Sequence, residues 1–127
     1  MKIPPQYLPV MPYLVMKDAQ AFLAFTKKVF NAKEQMIHYY ADDNNKIQHG
    51  EIKIYDAVIM FGEANENWGV KPAGMYIHVE NVDDVYARAI ENGATSLMPP
   101  SKQEYGYTAG FEDPSGNHWW IALGEKE

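Results

Sequence analysis

The chain has 127 residues, a length that suits one compact domain or two small halves that share a core. Its net charge of −6 argues against the basic face that nucleic-acid binding needs, and the absence of cysteine excludes disulfides, thiolate nucleophiles and cysteine metal sites. No run of about 18 apolar residues is present, so we expect no membrane span. The proline-rich first residues lack the apolar stretch of a signal peptide, and we expect a cytoplasmic protein.

The first half of the chain predicts a strand, a helix and three further strands. Residues 1–10 are rich in proline and predict irregular structure, and the apolar run 12–16 predicts the first strand. Asp18 predicts the start of a helix that runs through Phe30, because its carboxylate can accept from the free N–H groups of the first helical turn. Further strands are predicted at 33–41, 47–55 and 57–62, with a turn at 42–46 whose Asp and Asn residues tolerate left-handed backbone.

A polar stretch at 63–74, interrupted by glycine and proline, predicts a linker, after which the same order of elements begins again. The predicted division is a first module at about 10–63, a linker at about 64–73 and a second module at about 74–124. The second module predicts a strand at 75–79, a helix capped by Asn81 and ended by Gly93, weaker strands over 95–112, a turn at 113–116 and a last strand at 117–123.

The two halves also repeat residue by residue. Residues 13–32 and 76–94 each open on a tyrosine and an apolar run, continue through a capping residue into a helix, and end on alanine. The repeat predicts an α+β fold of two tandem βαβββ modules. The alternative is a ferredoxin-like fold in which the likeness of the two helices is accidental.

Four segments carry a resemblance to a known family: PYLVMKDAQAFLAFTKKVFNA, HGEIKIYDAVIMFGE, YIHVENVDDVYARAIENGA and GFEDPSGNHWWIA. In this order they resemble the glyoxalase/bleomycin-resistance/extradiol-dioxygenase superfamily, the vicinal oxygen chelate proteins, and within it the PhnB-like and small glyoxalase-like proteins. The resemblance implies an open, curved eight-stranded sheet with a concave pocket. It also implies that the modules pair within one chain or across a dimer, and that the protein is a homodimer that binds a small molecule.

In the family's metalloenzymes, the first and fourth strands of each module supply four metal ligands. The resemblance places these positions at Met11 or Pro12, Met60, Gly74 or Met75, and Trp120. None of these side chains offers a hard oxygen or an imidazole nitrogen, so we expect no metal cofactor of the family's kind. An alternative is a rebuilt Zn²⁺ or Ni²⁺ site on His49, His78 and His118 with Glu51, although these histidines can equally be polar groups of the pocket wall.

One functional hypothesis is metal-independent binding of a small aromatic or cationic molecule, as in the drug-sequestering members of the family. Aromatic faces stack on flat ligands and attract cations, and the acidic surface favours a cation at long range. The strand on which Trp120 lies also predicts Trp119 on the opposite, helix-facing side, in the core. The candidate ligand-binding residues are Tyr13, Met60, Tyr76, His78, Tyr107, His118 and Trp120, and Trp68 is a further candidate.

The other hypothesis is a glyoxalase-like lyase or isomerase with a rearranged site. His49 with Glu51, or His78 with a nearby carboxylate, would supply a base near neutral pH for isomerisation or epimerisation of a carbonyl compound. The competing interpretation of Glu51 is a partly exposed strand residue paired with Lys53 or another lysine, and Glu104 is expected in a solvated loop.

Overall fold

The computed structural model describes residues 1–125, which contain two helices and eight strands. Their order is βαβββ followed by βαβββ, so the predicted α+β fold of two tandem modules is confirmed. The chain divides between Lys71 and Pro72 into two compact units. The elements are β1 Tyr13–Met16, α1 Ala19–Phe30, β2 Lys33–Tyr40, β3 Asp43–Ile54, β4 Ala57–Glu63, β5 Gly74–Val79, α2 Val82–Glu91, β6 Thr95–Gln103, β7 Gly106–Glu112 and β8 His118–Leu123.

The first unit is a four-stranded sheet with one helix packed on one face. The strand order is β1-β4-β3-β2, with β1 parallel to β4 and the other pairs antiparallel. The Asp18 carboxylate accepts from the Ala21 N–H at 3.1 Å, which confirms the predicted start of α1. Phe22 on α1 and Phe61 on β4 are both fully buried with ring centroids 5.0 Å apart, so the core lies between α1 and the sheet.

The second unit repeats this arrangement with the strand order β5-β8-β7-β6. Asn81 caps α2 by accepting from the Asp84 N–H at 3.0 Å, and Gly93 beyond the helix end has the left-handed φ of 99° that its position predicted. The predicted turn at 113–116 is confirmed. The buried Asp113 carboxylate holds this turn by accepting from the Ser115 N–H and from the indole N–H of Trp119, which is 1% exposed and lies in the core as predicted.

The predicted turn at 42–46 is wrong. Strand β3 begins at Asp43, which pairs with Tyr40, so the connection between β2 and β3 is much shorter than the sequence suggested. Within residues 1–125, left-handed backbone occurs among non-glycine residues at Asn31 and Tyr55, outside the predicted turn. Residues 44–46 extend an exposed hairpin arm, where water satisfies their polar side chains, so polar composition alone does not mark a turn there.

Two prolines, Pro99 and Pro100, lie within β6. Strand β6 is at the edge of its sheet, where proline is tolerated because a residue there need not donate a backbone hydrogen bond to a second neighbouring strand.

Neither helix in the described part of the chain has the length and apolar character needed to cross a membrane.

Candidate functional site

A cavity of about 530 Å³ opens on the first unit, on the face of the sheet that carries Tyr13 and His49. This volume lies within the range of about 300–1,000 Å³ that is usual for small-molecule sites. Its wall combines aromatic rings, small apolar groups and a few polar ends. The lining residues are Tyr13, Val15, Tyr40, Gln48, His49, Gly62, Glu63, Asn65 and Trp68.

A buried carboxylate lies beside the cavity. Glu51 on β3 is 2% exposed and accepts three hydrogen bonds. The donors are the Tyr7 hydroxyl at 3.0 Å, the Gln35 amide at 3.1 Å and a ring nitrogen of His49, Nε2, at 2.8 Å. The interpretation of Glu51 as a partly exposed partner of a lysine is therefore wrong. The reason is that the N-terminal segment and β2 bring neutral donors over the strand, which sequence spacing along β3 does not show.

His49 connects this carboxylate to the cavity wall. Its second ring nitrogen, Nδ1, lies 3.0 Å from the Tyr13 hydroxyl, and the two rings are 5.5 Å apart at centroid. His49 and Glu51 are two residues apart on β3 and point to the same face, while Tyr13 comes from β1. The result is a chain of polar groups from Glu51 through His49 to Tyr13, which is half-exposed at the cavity.

The environment changes the acidity of these groups in a consistent direction. Burial raises the pKa of Glu51, but the hydrogen bonds from His49, Gln35 and Tyr7 together outweigh burial, and the pKa of this carboxyl lies below its ordinary value. Burial, with the neighbouring Tyr40 and Glu51 groups, raises the pKa of Tyr13. At neutral pH the site therefore contains an ionised Glu51 and an uncharged Tyr13 phenol.

The opposite wall of the cavity is built from the end of β4 and the segment that follows it. Glu63 Oε2 accepts from the Ala19 N–H at the start of α1 at 3.1 Å. The pKa of Glu63 is raised, chiefly by burial and also by the nearby Asp18. The Asn65 side-chain amide donates to the Tyr40 hydroxyl at 2.9 Å, while its carbonyl oxygen accepts from the backbone N–H of Trp68 at 2.8 Å. Asn65 thus fixes the loop that places Trp68 at the cavity.

The second unit has a different surface at the equivalent place. In the first unit, Met60 on β4 lies between Tyr13 on β1 and Glu51 on β3. In the second unit, Trp120 on β8 lies in the same way between Tyr76 on β5 and Gly110 on β7. The position of Glu51 is therefore occupied by Gly110, and the Trp120 ring lies directly over this glycine. Two residues earlier, Thr108 stands where His49 does, and its buried Oγ1 has no hydrogen-bond partner within residues 1–125. The duplicated fold thus carries a polar chain in one unit and an aromatic surface in the other.

The structure places the remaining predicted site residues in several environments. His78 contacts the Tyr76 ring edge-on at 5.5 Å between centroids, and His118 hydrogen-bonds Glu112 at 2.9 Å in a half-exposed pair. The Tyr107 hydroxyl donates to Asp83 on α2 at 2.6 Å, so this side chain lies on the helix face of its sheet, opposite Trp120.

Met60, between Tyr13 and Glu51 in the sheet, is half-buried. Glu104 is exposed between β6 and β7.

The donor set does not match a metal site of the kind implied by the resemblance. Two of the implied ligand positions are Met60, the cross-strand neighbour of Tyr13, and Trp120, the cross-strand neighbour of Tyr76. Their side chains carry a thioether and an indole, which do not suit the family's metals. Across residues 1–125, no three His, Asp or Glu side chains come together in a way that could hold a metal ion.

Several residues of the site lie outside the sequence-based candidates. Tyr7 lies in the proline-rich segment, for which the sequence predicts no regular structure. The other residues lie on strands and a loop, and their contacts are distant in sequence: Gln35, Tyr40, Glu63 and Asn65. A usable signal was the tyrosine pair at the end of β2, because large aromatic residues next to a polar hairpin are unusual unless they have something to cover. The pairing of Tyr7 with Glu51 has no local signal, since 44 residues separate them.

Comparison with known proteins agrees with the architecture. The family model described as Glyoxalase/Bleomycin resistance protein/Dioxygenase superfamily matches residues 8–121. An uncharacterized protein of Mycobacterium tuberculosis is 27% identical over 128 residues, covering 91% of this chain and 74% of that protein. The solved structure of the PhnB protein from Bacillus cereus has a TM-score of 0.76 at 18% identity, covering 92% of this chain and 100% of that one.

The fosfomycin resistance protein FosX from Mesorhizobium loti has the same fold with a TM-score of 0.65 at 17% identity. This match covers 94% of the present chain and 92% of FosX. At 17–18% identity, the similarity to these two solved structures shows the fold alone. Because the family model spans most of the sequence, the chain belongs to the glyoxalase/bleomycin resistance protein/dioxygenase superfamily.

Proposed function

We propose that the cavity of the first unit binds a small aromatic molecule that carries positive charge, without a metal, in the manner of resistance-type sequestration. The observation that carries this proposal is the composition of the cavity wall. Three aromatic side chains, Tyr13, Tyr40 and Trp68, surround a space whose wall also includes Glu63, the acidic residue among those that line it. Among the residues that line it in the described part of the chain, there is no lysine or arginine to attract an anion.

Each part of this wall has a defined physical contribution. A cation over the face of tyrosine or tryptophan gains about 0.5–2 kcal/mol, and flat ligands stack on the same faces. Glu63 adds a local negative charge, and the net charge of −6 favours approach of a cation at long range. Trp68 is 68% exposed, so a ligand that stacks on it removes apolar area from water.

Metal-independent binding is supported by the same geometry. Glu51 and His49, the candidate Lewis bases beside the cavity, already have partners: both oxygens of Glu51 accept hydrogen bonds, and both ring nitrogens of His49 are engaged. A homodimer and a cytoplasmic location rest on the family resemblance and the composition, and both stay predictions.

Calorimetric titration tests the proposal. We expect 2-naphthylmethylammonium to bind in the presence of EDTA, and the anion 2-naphthoate, which has the same ring system, not to bind. Glu63→Gln should weaken binding of the cation about tenfold, because it removes the charge while keeping an oxygen that can accept from the Ala19 N–H.

Glu66→Gln is the matched control. Glu66 is an exposed carboxylate three residues away in the same connecting segment, and it does not line the cavity. This variant should change the affinity less than about twofold, since exposed charges are well screened. Absence of binding by a broad set of cationic aromatic compounds, or equal affinity for the cation and the anion, would contradict the proposal.

A second candidate function, acid–base catalysis by a lyase or isomerase, is favoured by one observation. The His49 ring is held between a buried carboxylate and a tyrosine at the cavity, an arrangement that can relay a proton. If it does, the protein should accelerate exchange of the C3 protons of the uncharged ketone butan-2-one in D₂O, as followed by proton NMR. His49→Gln should lose that acceleration, whereas exchange at the buffer rate with the unaltered protein would count against an enzyme of this kind.

A further inference from the structure

The hydrogen bonds around Glu51 determine which nitrogen of His49 carries the proton. An ionised carboxylate only accepts hydrogen bonds, so each of its three neighbours must donate to it. The His49 Nε2 atom lies 2.8 Å from Glu51 Oε2 and therefore carries a hydrogen. The burial of Glu51 and the further donors Tyr7 and Gln35 hold the carboxylate in place.

The proton on Nε2 in turn fixes the direction of the next hydrogen bond. In a neutral imidazole with the hydrogen on Nε2, Nδ1 is an acceptor. The Tyr13 hydroxyl lies 3.0 Å from Nδ1, so the phenol donates its proton to His49. The raised pKa of Tyr13, which follows from burial and from the nearby Tyr40 and Glu51, keeps that proton present at neutral pH.

We propose that Tyr13 presents its phenolic oxygen to the cavity purely as a hydrogen-bond acceptor, so that the site selects cations that carry an N–H donor over quaternary ammonium ions of the same charge. The inference rests on the proposed function and defines its ligand class more narrowly. Tyr13 lines the cavity and is half-exposed, so its side chain borders the space that a ligand would occupy. Its hydrogen is already donated to His49, and only lone pairs remain for a second partner.

A second tyrosine, Tyr40, also lines the cavity. Its hydroxyl accepts from the Asn65 amide at 2.9 Å and has the Glu63 backbone carbonyl at 3.5 Å. Both of its neighbours are local to the cavity wall. Because this hydroxyl holds Asn65 and also influences Tyr13, the control variant is taken at the neighbouring Tyr39, which is 39% exposed and does not line the cavity.

The test compares two probes, 2-naphthylmethylammonium and 2-naphthylmethyl-trimethylammonium, by calorimetry at pH 8. The unaltered protein should bind the primary ammonium roughly tenfold more tightly, the usual effect of one hydrogen bond to a charged group. Tyr13→Phe should bring the ratio of the two affinities close to one. Tyr39→Phe removes a hydroxyl from a neighbouring tyrosine that does not line the cavity, and it should leave the ratio within about twofold of the unaltered protein.

A second measurement, made without any ligand, shows directly which ring nitrogen of His49 carries the hydrogen. In protein with ¹⁵N-labelled histidine, the His49 signals are assigned by their loss in His49→Gln, and the hydrogen should be on Nε2. A hydrogen on Nδ1 would overturn the inference, and so would equal affinity for the two probes or a preference that survives in Tyr13→Phe. If neither probe binds, the proposed function and the ligand selectivity both fail, whereas the histidine signals decide the proton arrangement independently.

Discussion

Gly50→Ala is expected to destabilise the first unit by about 3 kcal/mol, at the upper end of the cost of overpacking a core. A Cβ atom at Gly50 would lie 2.7 Å from Phe61 Cε1 and closer still to Cζ, distances that side-chain carbons do not adopt. Phe61 cannot move aside because it is fully buried and packs against Phe22. Urea denaturation followed by circular dichroism measures the loss.

Two other glycines make this prediction specific. Gly74→Ala adds a methyl group at a strand position with no atom within 4 Å, and the free energy of unfolding should stay within about 0.5 kcal/mol of the unaltered value. Gly110→Ala meets the Trp120 ring, but this ring is 37% exposed and can swing into solvent, so we expect an intermediate loss. A Gly50→Ala variant as stable as Gly74→Ala would show that the Phe61 ring is more mobile than its burial indicates.

The order of the elements was predictable from the sequence, whereas the length of one strand was not. The order of elements followed from apolar periodicity, from the caps Asp18 and Asn81, and from Gly93, all of which are local signals. The length of β3 was misjudged because the polar residues 44–46 have the composition of a turn but lie in an exposed hairpin arm. Local composition does not distinguish these cases, since cross-strand pairing with β2 decides the outcome.

The candidate site was predictable only where alternation along one strand was sufficient. His49 and Glu51, two residues apart on one strand, were paired as a candidate base, and the structure shows them hydrogen-bonded to each other. The state of Glu51 was not predictable, because its burial and two of its three donors come from Tyr7 and Gln35, which lie 44 and 16 residues away in the sequence. Tyr107 was expected at a pocket, and its contact with Asp83 on α2 shows that it faces the helix instead.

The asymmetry between the two units has a consequence for function. The repeat predicts similar surfaces, but Trp120 over Gly110 fills the place that the Glu51 side chain takes in the first unit. The two units share one strand arrangement, and the residues at equivalent positions form a polar chain in the first and an aromatic surface in the second. The proposed cationic ligand is therefore expected at the first unit, whose cavity wall includes Glu63.

Glu51→Gln is expected to destabilise the protein by about 2 kcal/mol at neutral pH, and this loss should depend on pH. Glutamine has nearly the shape of the protonated acid, but it cannot accept from Tyr7, Gln35 and His49 all at once, since one of its two polar ends is itself a donor. At least one buried donor then loses its partner. Urea denaturation of both proteins at pH 7.5, 5.5 and 4 measures the difference in free energy of unfolding.

The sign of the pH dependence follows from the lowered pKa of Glu51. A carboxyl whose pKa is lower in the folded than in the unfolded state contributes stability above the unfolded value, near 4.5, and loses it as pH falls through the folded value. The gap between Glu51→Gln and the unaltered protein should therefore be fully present at pH 7.5 and 5.5 and start to shrink at pH 4. Glu104→Gln, at an exposed turn, should show no gap larger than about 0.5 kcal/mol at any pH. A constant gap for Glu51→Gln would mean that packing, rather than the charge that orients His49, accounts for the loss.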